Sequence, residues 1–267
     1  MPHSFKLTQR IEKAAADAGI NVPLHYAEKS KYYKEFTKQL NNAINKQIAT
    51  VATTENVDRL FLFTKVNLSP QLLTEIATLL PLLKELLNLN EFIKRMGELS
   101  GQASIERFGI QGKFVMQNKE LIKYFEDHSN LIINSVDETT KEWLANKIQA
   151  GKSKLLTPKE IAQSILEEGK VISKVRAEMI VLTETANAIS VTQKEVAIRY
   201  GIKQQAWRTS IDERVCPICA PLEGKVATIG LTFDGYAHPP AHPRCRCFLE
   251  DLIPSNWELP VNPWLGS

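Results

Sequence analysis

Two segments determine which structure the carboxy-terminal part of this protein can form. They are Cys216-Pro217-Ile218-Cys219 and, further along the chain, His242-Pro243-Arg244-Cys245-Arg246-Cys247. All four cysteines of the chain lie in these two segments. Two cysteines separated by two residues can direct both sulfurs to one point from a tight turn, which is half of a zinc chelate. The second segment adds a histidine and the other cysteine pair, so the sequence predicts a metal site.

Five side chains compete for the four positions around a tetrahedral zinc ion. Cys216 and Cys219 supply one pair, and two of His242, Cys245 and Cys247 supply the other. If the last segment is a strand, Cys245 and Cys247 point to the same face and both reach the same centre. A site closed by four protein ligands leaves no position for a substrate, so we expect structural zinc. Spacing alone does not rank the five ligands.

Two other interpretations of the cysteines stay open. The segment Met1–Lys6 lacks the basic flank and apolar run of a secretion signal, so synthesis under reducing conditions is expected and the thiols then stay free. A disulfide between the two pairs can form if the protein later reaches an oxidising medium. Buried free cysteines without any metal are the third interpretation.

An ordered series of residues surrounds the cysteines between about 140 and 252. The series consists of Arg176, Thr183-Glu184-Thr185, Gly201, Trp207, Asp212, Cys216-x-x-Cys219, Leu222-x-Gly224 and Pro239-Pro240-x-His242-Pro243-x-Cys245-Arg246-Cys247. It resembles the carboxy-terminal domain of the phage Mu F-like head-morphogenesis proteins, which are minor head proteins of tailed phages. An isolated Cys-x-x-Cys is weak evidence, whereas the complete ending is specific. Residues 1–110 do not contribute to the resemblance.

The resemblance implies a minor head protein that binds the portal protein and the capsid proteins. It places the chain in the virion, with the host cytoplasm as its location during assembly, and packaged DNA is a further possible contact. Residues 1–110 are then a helical, partner-binding region, 111–252 the head-morphogenesis domain, and 253–267 a tail with proline and tryptophan. Arg176 and Glu184 are expected to brace the cysteine-containing module. The resemblance implies no enzymatic activity.

Charge and hydropathy exclude some other classes of protein. The chain has 33 basic and 30 acidic residues and a net charge of +3, which is too balanced to indicate nucleic-acid binding by itself. The most apolar stretch, Leu79–Leu89, is interrupted by Pro81, Lys84 and Glu85. It is shorter than the roughly 20 residues that span a bilayer, so no membrane insertion is predicted.

The spacing of apolar residues predicts an α+β fold, with a mainly helical amino-terminal region followed by a small β-rich module that contains the cysteines and histidine. Helices are expected at about 6–18, 29–50, 70–87, 90–108, a short one after 118, 129–150, one that starts at Thr157, and 170–200. Residues 51–68 are ambiguous between strand and helix. The apolar stripe of the 29–50 helix is either core or a docking face for a partner.

Local signals mark several boundaries. Ser69-Pro70 and the pair Thr157 and Glu160 are helix starts, and Gly201 suits the left-handed residue that ends a helix. Strands are expected at about 206–211, 226–229 and 245–249, around a turn at Gly224. Because such a short sheet has little core of its own, a metal crosslink is expected to stabilise it.

Two alternative functions follow from the residues near the cysteines. Arg208, Arg214, Arg244 and Arg246 can contact phosphate, which favours a zinc-dependent nucleic-acid-binding module, unless Arg244 and Arg246 point to solvent.

A hydrolase needs zinc with an open position, and His238, Asp212 or Glu213 would then carry the proton. The chain has no His-Glu-x-x-His motif and no phosphate-binding glycine loop. Glu178 and Glu184 are six residues apart on a helix and are expected at its surface, not as a catalytic pair.

Overall fold

The computed structural model describes residues 31–64, 69–210 and 215–258. These residues form α-helices and a small antiparallel sheet, so the predicted α+β class is confirmed. The elements are α1 (Lys31–Val51), α2 (Thr54–Leu60), a 3-10 turn (Phe61–Phe63), α3 (Pro70–Leu79), α4 (Leu83–Leu86), α5 (Leu89–Arg107), α6 (Lys119–Ser153), α7 (Pro158–Arg199), β1 (Gln204–Arg208), β2 (Val226–Thr228) and β3 (Phe248–Asp251). The helix predicted at 6–18 lies outside the described residues.

The chain divides into two compact units, each assembled from separate segments. The helical unit consists of residues 34–92 and 124–179. The described parts of 1–33, 93–123 and 180–267 form the other unit, which we call the cysteine unit. The long helices contribute residues to both units. The division at 1–110, 111–252 and 253–267 that the sequence predicts follows the chain order and stays a prediction.

In the helical unit, the stripe of α1 is core. Phe36, Leu40, Ile44 and Ile48 are at most 4% exposed, and the ring of Phe36 stacks on that of Phe92 with 4.0 Å between centroids. Residues spaced by three and four along a helix share one face, so burial of this stripe holds α1 in the unit. Of the two interpretations of the stripe, the structure favours core over a docking face.

The described residues between 52 and 87 form α2, the 3-10 turn, α3 and α4. Thr53 and Ser69 cap α2 and α3 by accepting hydrogen bonds from the backbone of Asn56 and Leu72. The predicted continuous run from 70 to 87 is wrong, because the chain is extended at Leu80 and resumes as α4 at Leu83. Proline at position 81 disfavours a helical conformation at the preceding residue, which explains the break.

The two long helices are longer than predicted. A short helix followed by another at 129–150 was expected, but α6 is one helix, and α7 is also continuous where a break near 169 was expected. Glycine is tolerated at position 169 for a packing reason, since an added Cβ would lie 2.8 Å from Ile48. Gly151 likewise lies within α6 and packs against Ile161.

The predicted start of α7 is confirmed as a reciprocal cap. The backbone N–H of Thr157 donates to Glu160 at 2.8 Å, and the backbone N–H of Glu160 donates to the Thr157 hydroxyl at 3.3 Å. The end of α7 is followed by Gly201 with φ 75°, the left-handed conformation predicted for it.

The cysteine unit contains a sheet of order β2-β1-β3, with both pairings antiparallel. Ala206 of the central strand lies opposite Val226 on one side and Glu250 on the other. The third strand begins at Phe248, and so the prediction that Cys245 and Cys247 lie in it is wrong. Both cysteines precede the strand in an irregular segment.

Two apolar clusters support the cysteine unit. One surrounds the end of α7 with Phe108, Tyr200 and Trp257, and the Trp257 indole donates to the Tyr200 carbonyl at 2.9 Å. This part of the tail therefore docks on the chain itself, whereas Trp264 lies outside the described residues. The other cluster surrounds Trp207, which is fully buried. The expectation that the module has little core is therefore wrong.

Among the described residues, no helix combines the length and the apolar character needed to cross a membrane.

Candidate metal centre

The first half of the site is a turn that begins at Cys216. The backbone N–H groups of Cys219 and Ala220 donate to the Cys216 carbonyl at 3.1 and 2.9 Å, and a 3-10 turn follows from Ala220. The Cys219 N–H also lies 3.4 Å from the Cys216 sulfur. The turn thereby directs both sulfurs to the same side, as the spacing predicts.

The second half of the site is the turn His242-Pro243-Arg244-Cys245. The backbone N–H of Cys245 donates to the His242 carbonyl at 3.1 Å, and Arg244 has φ 61°. Proline at the second position and a left-handed residue at the third are the features of a type II β-turn. This turn, rather than strand alternation, brings His242 and Cys245 toward one point.

The five predicted ligands form two groups that share Cys219. Its sulfur lies 3.2 Å from the Nε2 of His242 and 3.7 Å from the sulfur of Cys245, and Cys216 lies 3.0 Å from the same imidazole nitrogen. Two groups of donors result, Cys216, Cys219 and His242 in one and Cys219, Cys245 and Cys247 in the other, and within each the ligand atoms lie within 4.8 Å of one another.

The donor set fits zinc by its chemistry, and one pair of sulfurs has the spacing of zinc ligands. Thiolate and imidazole are the ligands of structural zinc, and Zn–S bonds of about 2.3 Å in a tetrahedron place two sulfurs about 3.8 Å apart. The Cys219–Cys245 distance of 3.7 Å matches that value. The cavity at the cluster has a volume of about 30 Å³, room for an ion or a water molecule but not for an organic substrate. The geometry therefore suits a structural site.

Hydrogen bonds among the cysteine sulfurs and burial shift the pKa values of the thiols in different directions. The Cys247 thiol donates to the sulfur of Cys245 and lowers its pKa to about 5. For Cys219, burial raises the pKa to about 12. The pKa of Cys247 is also raised, because its hydrogen bond to Cys245 and its burial both favour the protonated thiol. Since the thiolate is the form that binds metal, Cys245 is the most readily available anionic ligand in this half.

The second nitrogen of His242 faces backbone. Its Nδ1 lies 2.8 Å from the carbonyl of Pro243, which leaves Nε2 directed at the sulfurs. A ligand histidine commonly donates its other ring N–H to such a carbonyl, which fixes its orientation. The pKa of His242 is raised: burial lowers it, but the Pro243 carbonyl and the negative charge on Cys245 and Cys216 outweigh burial.

All four cysteines are free thiols in the structure. The 3.7 Å between the sulfurs of Cys219 and Cys245 is far beyond the roughly 2.05 Å of a disulfide bond. The structure therefore gives no support to the disulfide interpretation.

The Arg208 side chain is bound by two carboxylates. Its guanidinium donates to Glu250 at 2.6 Å and to Glu223 at 3.2 Å, and these hydrogen bonds and charges raise its pKa. Two carboxylates around one guanidinium disfavour a phosphate contact there.

Arg214, Asp212 and Glu213 lie outside the described residues. Arg244 is exposed and Arg246 half-buried beside the cavity. His238, the remaining proposed proton carrier, is half-buried and faces the Pro239 carbonyl at 2.7 Å.

Of the two residues expected to brace the module, Arg176 makes these hydrogen bonds within the helical unit instead: it donates to the Thr139 and Thr140 hydroxyls and the Val136 carbonyl. Burial lowers its pKa. Glu178 is exposed as predicted, but Glu184 is buried, so its expected surface position is wrong.

Thr183 contacts the cysteine segment directly, since its hydroxyl accepts from the backbone N–H of Arg244 at 3.1 Å. Sequence reasoning missed this role, although Thr183 stands beside Glu184 in the motif quoted above. A hydroxyl that accepts from a distant backbone N–H leaves no periodicity in a sequence.

Residues 138–250 match the family described as phage Mu protein F like protein. No curated protein and no solved structure gave a significant match. The matched residues include all of α7, β1 and β2, β3 except Asp251, and all five candidate ligands. The part of the chain that carries the cysteine and histidine cluster belongs to the phage Mu F-like family.

Proposed function

We propose that this protein is a minor head protein that acts in phage head morphogenesis by binding other head proteins, and that it becomes part of the virion after assembly in the host cytoplasm. The observation that carries the proposal is the family match over 138–250, which contains the whole cysteine and histidine cluster. A role in assembly also agrees with the small cavity at the cluster, which holds no organic substrate. The proposed role is structural and not enzymatic.

The proposed partners are the portal protein and the capsid proteins. A surface suited to such a partner lies in the helical unit, where Leu62 is 81% exposed and Leu155 is 92% exposed. The two residues belong to neighbouring segments, because Lys152 donates from Nζ to the Phe61 carbonyl at 2.6 Å. Leu155 also has φ 59°, a conformation that leucine rarely adopts. Exposed apolar side chains on neighbouring segments favour a protein contact, and at Leu155 the chain also adopts an unfavourable backbone conformation.

Co-expression with the portal protein of the same phage tests the partnership. We expect a stable complex that survives purification in mild salt, and weaker recovery of the portal protein with a Leu62→Ser, Leu155→Asn double variant. Asparagine tolerates the left-handed conformation, so the second change removes only the apolar group. Leu131→Ser on α6, where leucine is 64% exposed, is the matched control and should co-purify normally. Failure of the unaltered chain to co-purify contradicts the portal partnership.

The proposed cofactor is one structural zinc ion held by Cys216, Cys219, His242 and Cys245. Cys216, Cys219 and His242 form one close group, and Cys245 is the next sulfur from Cys219. Cys247 is then the hydrogen-bond donor to the Cys245 thiolate, which stabilises that ligand from outside the metal's own shell. Zinc would supply a crosslink between the 216–219 turn and the 242–245 turn.

Paired serine variants test this ligand set. Cys245→Ser should lose bound zinc, whereas Cys247→Ser should keep one equivalent with weaker affinity, by about 10-fold, as expected for loss of an outer hydrogen bond. Retention of zinc by Cys245→Ser, or its complete loss from Cys247→Ser, contradicts the assignment. Contact with packaged DNA stays a prediction, and Arg208 is not part of it because two carboxylates hold its guanidinium.

A further inference from the structure

The segment that carries Cys245 and Cys247 is attached to α7 at both of its ends. At one end, the backbone N–H of Arg244 donates to the Thr183 hydroxyl at 3.1 Å. At the other, the side-chain amide of Gln193 donates to the Leu249 carbonyl at 2.8 Å. Cys245 and Cys247 lie between these two attachments.

The lengths of the two paths agree. Thr183 and Gln193 are ten residues apart, which is about 15 Å along a helix at 1.5 Å per residue. Arg244 and Leu249 are five residues apart, which is about 16 Å for extended chain at about 3.3 Å per residue. The segment from Arg244 to Leu249 therefore spans the distance between the two attachments, and a hydrogen bond at either end restricts it.

The Gln193 end is fixed by several further contacts. The Asp251 carboxylate accepts from the Gln205 amide at 2.7 Å and from the Gln193 amide at 3.3 Å, and it forms an ion pair with Arg107. Asp251 is almost completely buried, where such bonds are strong.

The Thr183 bond acts on the residue that shapes the ligand turn. Arg244 occupies the left-handed third position of the His242–Cys245 turn, where a non-glycine residue costs about 1 kcal/mol. Its N–H is not used by the turn itself, whose own bond joins Cys245 to His242. Donation to Thr183 stabilises Arg244 in the conformation that the turn requires.

We infer that Thr183 is a positioning residue of the metal centre: its hydroxyl holds the Arg244 backbone and so sets the turn that presents His242 and Cys245 to the metal. This inference rests on the proposed zinc centre. Thr183 lies outside the metal's ligand set and acts through the turn. Outer partners of this kind commonly change metal affinity by about 10-fold to 100-fold.

Zinc affinity of the full chain, measured by competition with a chromophoric chelator at fixed pH, tests the inference. Thr183→Val removes the acceptor and should weaken zinc binding by about 10-fold, whereas Thr183→Ser keeps the hydroxyl and should restore wild-type affinity. Thr192→Val is the matched control, since it makes the same change on the same helix at a buried hydroxyl with no hydrogen-bond partner in the described structure. It should leave zinc affinity unchanged.

Cobalt substitution separates positioning from general destabilisation. In Thr183→Val the thiolate-to-cobalt absorption should keep its full intensity at saturation, because the ligands are the same and only their pre-arrangement is lost. Equal zinc affinity in Thr183→Val and wild type overturns the positioning role, as does equal weakening in Thr192→Val. A wild-type chain that takes up no zinc overturns the metal centre itself, so the two failures are distinguishable.

Discussion

The helical unit and the cysteine unit are ordered by different means. In the helical unit, apolar side chains such as Ile44, Leu72 and Ile76 are fully buried between helices. In the cysteine unit, the sheet has strands of only five, three and four residues around one buried tryptophan, beside a cluster of sulfurs and an imidazole. Both units bury apolar side chains, but among the described residues the thiols and imidazole lie close together in the cysteine unit, so the proposed crosslink between turns would stabilise that unit in addition to its apolar clusters.

Each unit also contains one carboxylate that is held by donors from distant parts of the chain. Asp137 of the helical unit accepts from Gln47 at 2.5 Å and from the backbone of Leu83 at 3.2 Å, with no cation among these partners. Asp251 of the cysteine unit has Arg107 and two amides. Burial raises the pKa of Asp137, although its hydrogen bonds to Gln47 and Leu83 and the charge of Lys84 oppose the change. The two carboxylates therefore stabilise their units in different ways.

Removal of metal should produce the largest difference in effect between the two units. With an excess of chelator, amide hydrogen exchange should become fast in β1, β2 and β3, while α1 keeps its protection. Structural zinc binding in small modules is worth about 10 kcal/mol or more, which exceeds the stability of most such modules. If the strands stayed protected after complete metal removal, the apolar cluster around Trp207 would be sufficient to stabilise the sheet. The two units would then not differ in their dependence on metal.

Truncation of a core side chain in the helical unit should lower the stability of that unit and leave zinc binding unchanged. Ile44→Ala removes a completely buried side chain and should lower the free energy of unfolding by about 2–5 kcal/mol, measured by urea denaturation. Zinc content should stay at the wild-type value. Leu131→Ala, at a position 64% exposed, is the control and should change stability by less than about 0.5 kcal/mol. Loss of zinc from the Ile44→Ala variant would contradict the expectation that the two units are stabilised independently.

The buried carboxylate of the helical unit gives a smaller, pH-dependent effect. The folded pKa of Asp137 is raised, so its contribution to stability is full below the ordinary aspartate pKa of about 4 and is lost as pH rises through the folded value. Asp137→Asn keeps an acceptor oxygen and cannot ionise. Its stability relative to wild type should therefore increase with pH in urea titrations from pH 4 upward.

Asp137→Ala is the companion variant, since it removes the acceptor as well as the charge. It leaves the Leu83 N–H without its carboxylate and should cost about 1–3 kcal/mol throughout that pH range. A constant difference between Asp137→Asn and wild type would show that the carboxylate is not perturbed by folding.

Most helices could be predicted because one face of each is buried. The stripe of α1 and the cap of α7 at Thr157 and Glu160 are local patterns, and the structure contains both. The breaks expected near Ser129 and Gly169 were wrong because local propensity does not report packing. An added Cβ at position 169 would meet Ile48, which is distant in sequence.

The candidate site was predictable in its residues but not in its geometry. Cysteine and histidine spacing predicted which five side chains lie near one another, and the structure places them in two groups that share Cys219. That they bind a metal stays a prediction. The type II turn at Arg244 was missed because a left-handed arginine has no sequence signal, unlike glycine. The role of Thr183 and the burial of Glu184 depend on long-range contacts of α7, which the sequence pattern does not contain.

The zinc content of the purified full chain, measured by elemental analysis under reducing conditions, tests the central claim most directly. We predict one zinc per chain in the wild type and none in a Cys216→Ser, Cys219→Ser variant. A metal-free wild-type chain whose three strands resist amide exchange would contradict the claim that a crosslink orders the cysteine unit.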